Sequence, residues 1–129
     1  MKLRTFRIGA PRRPGEGLRI GATRRPPRGV ARADWCRRGY FDVWLPAVAP
    51  SLALLRRYQR RMPDDARARR RFFAAYAREL AAPGPRHVVE LLAAVAARTP
   101  IAVGCFCEDE SRCHRSALRR AIARAGRDR

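Results

Sequence analysis

Ile101-Ala-Val-Gly-Cys-Phe-Cys107 is an unbroken apolar run that follows a helix-forming segment and the Thr99-Pro100 turn. A strand without polar alternation has both faces covered, so the run predicts the central strand of a sheet with elements packed on either side. The remaining pattern fits that frame. Leu3 to Ile8 and Leu18 to Thr23 read as short strands separated by the turn-forming Pro11-Arg-Arg-Pro14-Gly-Glu-Gly17, which suggests a hairpin or two neighbouring strands. Pro26-Pro27-Arg28-Gly29 stops the second strand and opens an irregular segment that runs to Pro46.

Pro50 and Ser51 can open a helix carrying Leu52, Leu55 and Tyr58, with an arginine-rich opposite face. Asp64 and Asp65 are caps for a second helix, on which Phe72 or Phe73, Tyr76 and Leu80 recur at helical spacing until Pro83-Gly84-Pro85 ends it. A third helix, from about Arg86 to Arg98, places Val88, Leu91, Leu92 and Val95 on one stripe. The last, from about Cys113 to Ala125, turns Ala117, Leu118, Ala121 and Ile122 inward and Arg115, Arg119 and Arg120 largely outward. The expectation is one α/β domain over residues 1–125, a small, mostly parallel sheet flanked by about four helices, with a basic tail at 126–129. A chain of 129 residues suits one such domain rather than two.

The formal charge of +19 would favour nucleic acid, because cationic side chains displace counterions from phosphates. The arginines are nevertheless scattered over every segment, without the interleaved aromatics that stack bases. Arginine-rich, non-catalytic nucleic-acid association is therefore an alternative reading. No run approaches the roughly 18–20 apolar residues of a membrane span, and the N-terminus lacks the apolar core of a signal peptide, so a cytoplasmic protein with no membrane partner is expected. Cys105, Cys107 and Cys113 crowd together, which suits thiols or a metal better than a disulfide framework, while Cys36 stands apart.

Chemistry points to the segment from Cys105 to Arg115, at the carboxyl end of the expected central strand, where ligands of open α/β sheets bind. Cys105 and Cys107, two apart, are expected on one sheet face. Cys113 is expected in the first helical turn, where the helix dipole and the neighbouring Arg112, His114 and Arg115 would favour its thiolate, and Glu108, Asp109 and Glu110 oppose it. A redox-active or nucleophilic Cys113, with His114 as acid or base, is one reading. Two arginines and helix-terminal amides holding a phosphate or carboxylate is another. Ligation of zinc by Cys105, Cys107, Cys113 and His114 is a third, although the usual two-to-four-residue spacer between paired ligands is missing and the adjacent Cys113 and His114 would be strained on one ion. Against all three, the cysteines could simply fill the core. A phosphatase-type loop, cysteine then five residues then arginine, is absent, and His87 reads as surface.

The spacing Cys105-(seven residues)-Cys113-His114-Arg115 resembles the C-terminal signature of domain of unknown function 488. Arg24, Pro27, Arg28 and Gly29, then Asp42 and Trp44, then Pro50 and Ser51, and later Phe73, Tyr76, Glu79 and Leu80 extend the resemblance to its YeaO-like branch of uncharacterised bacterial proteins, from about Leu3 to Arg124. Thr23 stands where that family commonly has Asp, and Pro26 where it has Trp; some members also keep the histidine but lack the cysteines. The resemblance implies an α/β domain whose Arg24, Arg28, Asp42, Trp44, His114 and Arg115 gather near one cleft, and it supplies no reaction. The combined expectation is an anionic, nucleotide-like small molecule held by Arg24, Arg28, Asp42, Trp44, Cys105 and Arg115, with His114 and Cys113 as catalytic candidates for hydrolysis or group transfer. No cofactor is expected, zinc being the alternative.

Overall fold

In the computed structural model, which describes residues 1–107 and 113–129, the apolar run forms β4 (Ile101–Cys105), buried along its whole length. Three further strands complete the sheet: β1 (Leu3–Arg7), β2 (Leu18–Gly21) and β3 (Val43–Trp44). Their order is β1-β4-β2-β3 and every pairing is parallel. The central strand, the α/β class and the parallel sheet thus follow the sequence. The hairpin does not: β4 inserts between β1 and β2, pairing Leu3 and Leu18 on either side of Ile101. Two turn-separated strands leave their edges unpaired until a third fills the gap, and an alternation pattern cannot tell that arrangement from a hairpin.

Successive residues of the strands face opposite layers. Ile20, Ala22, Ile101 and Val103 join the larger core with Leu54, Tyr58, Phe72, Tyr76, Leu92 and Leu118. That layer consists of α2 (Leu52–Tyr58), α3 (Ala66–Ala81), α4 (Pro83–Ala96) and α5 (His114–Arg127). The opposite face carries Phe6, Ile8, Phe41 and Ala102, packed by Trp35, Tyr40 and Trp44. Here the short α1 (Asp34–Arg37) and the β1–β2 connection cover the sheet. Gly104 and Gly21 make room for this layer, since a Cβ at either would stand 2.5 Å from the ring of Phe6 or Phe41.

Arg19 points into the same layer and is fully buried. Its guanidinium pairs with buried Glu16 and donates to the carbonyls of Ala10 at 2.8 Å, Gly39 at 2.8 Å and Pro11 at 2.9 Å, while lying 4.4 Å from the centre of the Phe6 ring. One cation therefore satisfies the backbone of two loops that cross the sheet.

The helices depart from expectation in three places. α3 ends at Ala81, ahead of Pro83 as expected, but Pro83 also opens α4, earlier than the expected start near Arg86, since a proline at the first helical position has no amide hydrogen to leave unsatisfied. Val89, Leu92, Ala93 and Ala96 form its buried stripe, which turns Leu91 out to 62% exposure. Val88 and Val95, expected on the stripe, pack against the core at its edges. Arg115, expected outward, is only 4% exposed. None of the helices among the described residues is long and apolar enough to cross a membrane.

Candidate functional site

A cleft of about 750 Å³ opens at the carboxyl ends of β2 and β4. The loop after β2 contributes Thr23, Arg24, Arg25 and Arg28, and α2 contributes Leu52, Leu55 and Arg56. Cys105, Cys113 and His114 lie at the junction of β4 and α5. Four arginines therefore share a cleft with apolar walls that include Phe72, Phe106 and Met62. The crossing of strand ends with a helix amino terminus is the usual ligand position of such sheets.

His114 is the first residue of α5 and is fixed from two sides. Its Nε2 lies 2.6 Å from the carbonyl oxygen of Ala22, and its ring meets the edge of Tyr76 at 5.7 Å between centres. A carbonyl only accepts, so Nε2 carries the hydrogen and the neutral ring presents Nδ1 as a bare lone pair. Burial pushes the His114 pKa down to about 4, aided by the charge of Arg115 and opposed by the Ala22 bond. Nδ1 lies 3.9 Å from the Cys113 sulfur. Tyr76 is itself held by a bond from its hydroxyl to Val48 O at 2.6 Å.

Cys113, expected in the first turn, is the N-cap in extended conformation, and its side chain does not cap the helix. Its sulfur is paired with that of Cys105 across an α-carbon separation of 7.7 Å. The sequence favoured thiols or ligands here over a disulfide framework; the structure joins these two sulfurs, because Cys113 as N-cap stands against the end of the strand that feeds the helix. Cys107 departs too. β4 ends at Cys105, so the two-residue alternation stops and Cys107 is exposed, its thiol pKa raised by burial of the sulfur despite the nearby Arg115.

Arg115 reaches back from α5 to donate to Cys107 O at 2.5 Å and approaches the Cys105 sulfur at 3.5 Å. It braces the end of β4 from beneath and does not line the cleft. Arg24 lines the cleft, but its guanidinium donates to Pro50 O at 3.1 Å and Ala49 O at 3.0 Å, clamping the β2 loop to the start of α2. Arg25, Arg28 and Arg56 are exposed around it.

Asp42 and Trp44 lie outside the cleft. Asp42 pairs with Arg12 at 2.6 Å and accepts from the Arg19 amide at 2.7 Å and the Cys36 thiol at 3.4 Å. Burial alone would raise its pKa, but the bonds from Arg12 and Arg19 hold it below the ordinary value. Trp44 donates to Thr23 O at 2.9 Å and stands edge-on to Trp35, so it fixes the loop that presents Arg24 and Arg28. Ser51 caps α2 by accepting from the Leu54 amide and is held in turn by Glu79. Glu108, Asp109, Glu110 and Arg112 lie outside the described residues.

Sequence reasoning missed Arg25 and Arg56 as lining residues and Tyr76 as the neighbour of His114. Tyr76 had a signal, since Phe73, Tyr76, Glu79 and Leu80 carried part of the family resemblance. Arg25 and Arg56 had none, being two among many arginines.

No curated protein and no solved structure matches the chain significantly. A family model described as the active DUF488-N3 subclade matches residues 3–126, which span every strand and the cleft. The chain accordingly belongs to the DUF488 family, a domain of unknown function with an α/β fold.

Proposed function

We propose that the cleft binds a small anionic molecule and that hydrolysis or group transfer takes place on it at the Cys113–His114 end. The observation that carries this reading is the placement of an unprotonated His114 Nδ1 beside two cysteine sulfurs on the floor of an arginine-lined cleft. Arg25, Arg28 and Arg56 supply exposed cations for a phosphate or carboxylate, and the first amides of α5, which the Cys113 side chain does not cap, favour negative charge at the same end. The walls of Leu52, Leu55, Met62 and Phe106 suit a flat apolar portion such as a nucleobase. Arg24 and Trp44 serve as positioning residues, holding the loop that carries Arg28.

Native mass spectrometry of the purified chain tests the proposal. A retained small anion, or a phosphate monoester taken up at millimolar concentration, should be lost on Arg28→Ala with the chain still folded. A chain that takes up none, or takes it up equally after Arg28→Ala, would count against this cleft.

A further inference from the structure

From the geometry beneath the cleft we infer that Cys105, Cys113 and His114 form a binding site for one zinc-like ion, with a fourth coordination position open to the arginine-lined cleft. It deepens the reading of the cleft above, because it names the group that would polarise the bound anion or a water beside it.

The donor atoms of these three residues all lie within 4.8 Å of one another. Two sulfurs and an imidazole nitrogen are ligands that a borderline-soft divalent ion prefers. His114 is prepared for the role. Its Nε2–H is committed to Ala22 O, so Nδ1 is left to coordinate, and a backbone carbonyl behind a ligating histidine is the usual outer partner of such sites.

Sequence adjacency argues against Cys113 and His114 as joint ligands, but the backbone resolves that objection. Cys113 is extended, with φ −111° and ψ 146°, whereas His114 begins the helix, so consecutive side chains converge on one point. The α-carbons of Cys105 and Cys113 stand 7.7 Å apart, wider than the roughly 7 Å that a disulfide spans without backbone movement. Two thiolates about 2.3 Å from one zinc ion stand about 3.8 Å from each other, within the 4.8 Å span of the three donor atoms. Reduction breaks the sulfur–sulfur bond and yields two thiols, as two external thiols become their own disulfide or one phosphine and a water become the phosphine oxide, and each cysteine releases its proton to solvent when it binds the ion.

The Cys107 sulfur is outside this group of three, and all three ligands line the cleft. Among the described residues the site therefore has three protein ligands, and three with one vacant position is the pattern of a site that works on a substrate, whereas four would close it.

The test is anaerobic titration of the full chain, kept reduced with a phosphine, using Co²⁺ as the spectroscopic probe and then Zn²⁺ in competition. The expected result is one ion per chain, with thiolate-to-cobalt charge transfer and four-coordinate d–d absorption that zinc abolishes. Cys105→Ser and His114→Gln should each lose the bands, while Cys36→Ser and Cys107→Ser keep them. The wild-type stoichiometry does not depend on any variant folding. A folded, reduced wild-type chain that binds no cobalt overturns the site, as does binding that survives both Cys105→Ser and His114→Gln. Loss on Cys107→Ser would mean a closed four-ligand site and overturns the open position. No anion is added, so the metal site and the anion cleft fail separately.

Discussion

The Nε2 of His114 lies 2.6 Å from the carbonyl oxygen of Ala22, joining the first residue of the last helix to the end of β2 across most of the chain. The bond sets the tautomer of the ring, and burial between Tyr76 and the strand ends keeps it neutral. Ring-nitrogen NMR of the metal-free protein should show hydrogen on Nε2 and protonation only near pH 4. The unfolded chain takes up this proton from about pH 6.5 downward and the native state does not, so the contribution of His114 to stability falls as pH falls from about 6.5 to 4. Titration of His114 near its ordinary value would contradict the enclosed geometry.

Arg19→Ala should destabilise the fold by about 3–5 kcal/mol in urea denaturation, because it leaves Glu16 charged and buried and frees the carbonyls of Ala10, Pro11 and Gly39. Cation and carboxylate act together here, so the double change Arg19→Met with Glu16→Leu should cost less than Arg19→Ala. A cost near zero for the single change would contradict the buried network.

The carboxylates of this face tie stability to acid pH. Burial would raise the Glu16 pKa, but the bond and charge of Arg19 together with the bonds from Arg13 outweigh it and hold the group below its ordinary 4.5; Asp42 is likewise held below 3.8 by Arg12 and the Arg19 amide. Both contributions are fully present above those ordinary values and are lost as pH falls through the depressed folded ones. Thermal melts of Asp42→Asn should therefore be less steeply acid-sensitive than those of wild type below about pH 4, with the two converging in strong acid.

Gly104→Ala and Gly21→Ala should each cost about 1–3 kcal/mol by forcing a methyl group against the Phe6 or Phe41 ring. Phe6→Leu should recover part of the loss for Gly104→Ala and none for Gly21→Ala. Equal rescue of both, read from denaturation midpoints, would contradict the separate contacts.

Much of the architecture was legible because it rests on local pattern. The uninterrupted apolar run announced a central strand, and Ser51 and Asp65 marked helix starts that the structure realises with side-chain caps. The strand order was not legible, since β4 reaches its place between β1 and β2 only through contacts distant in sequence. The same limit applied at the site. Spacing located Cys105, Cys113 and His114, but their convergence depends on Cys113 being an N-cap rather than a first-turn residue. Arg115 looked like one more outward cation, and its burial follows from a carbonyl at Cys107 that no sequence pattern marks. Asp42 and Trp44, which carried part of the resemblance, make their contacts outside the cleft, where they hold Arg19 and Thr23.

The central claim, that the cleft after β2 and β4 receives an anion, is tested most directly by calorimetric titration of the chain with a nucleoside monophosphate and with the corresponding nucleoside. The monophosphate should bind and the nucleoside should not, and the change Arg25→Ala with Arg28→Ala should weaken binding at least about tenfold, the effect of losing roughly 1.4 kcal/mol of charge-assisted hydrogen bonding. Arg120→Ala with Arg124→Ala, on the remote face of α5, should leave it unchanged. Equal loss from both pairs, or no binding to wild type, would contradict an anion site in this cleft.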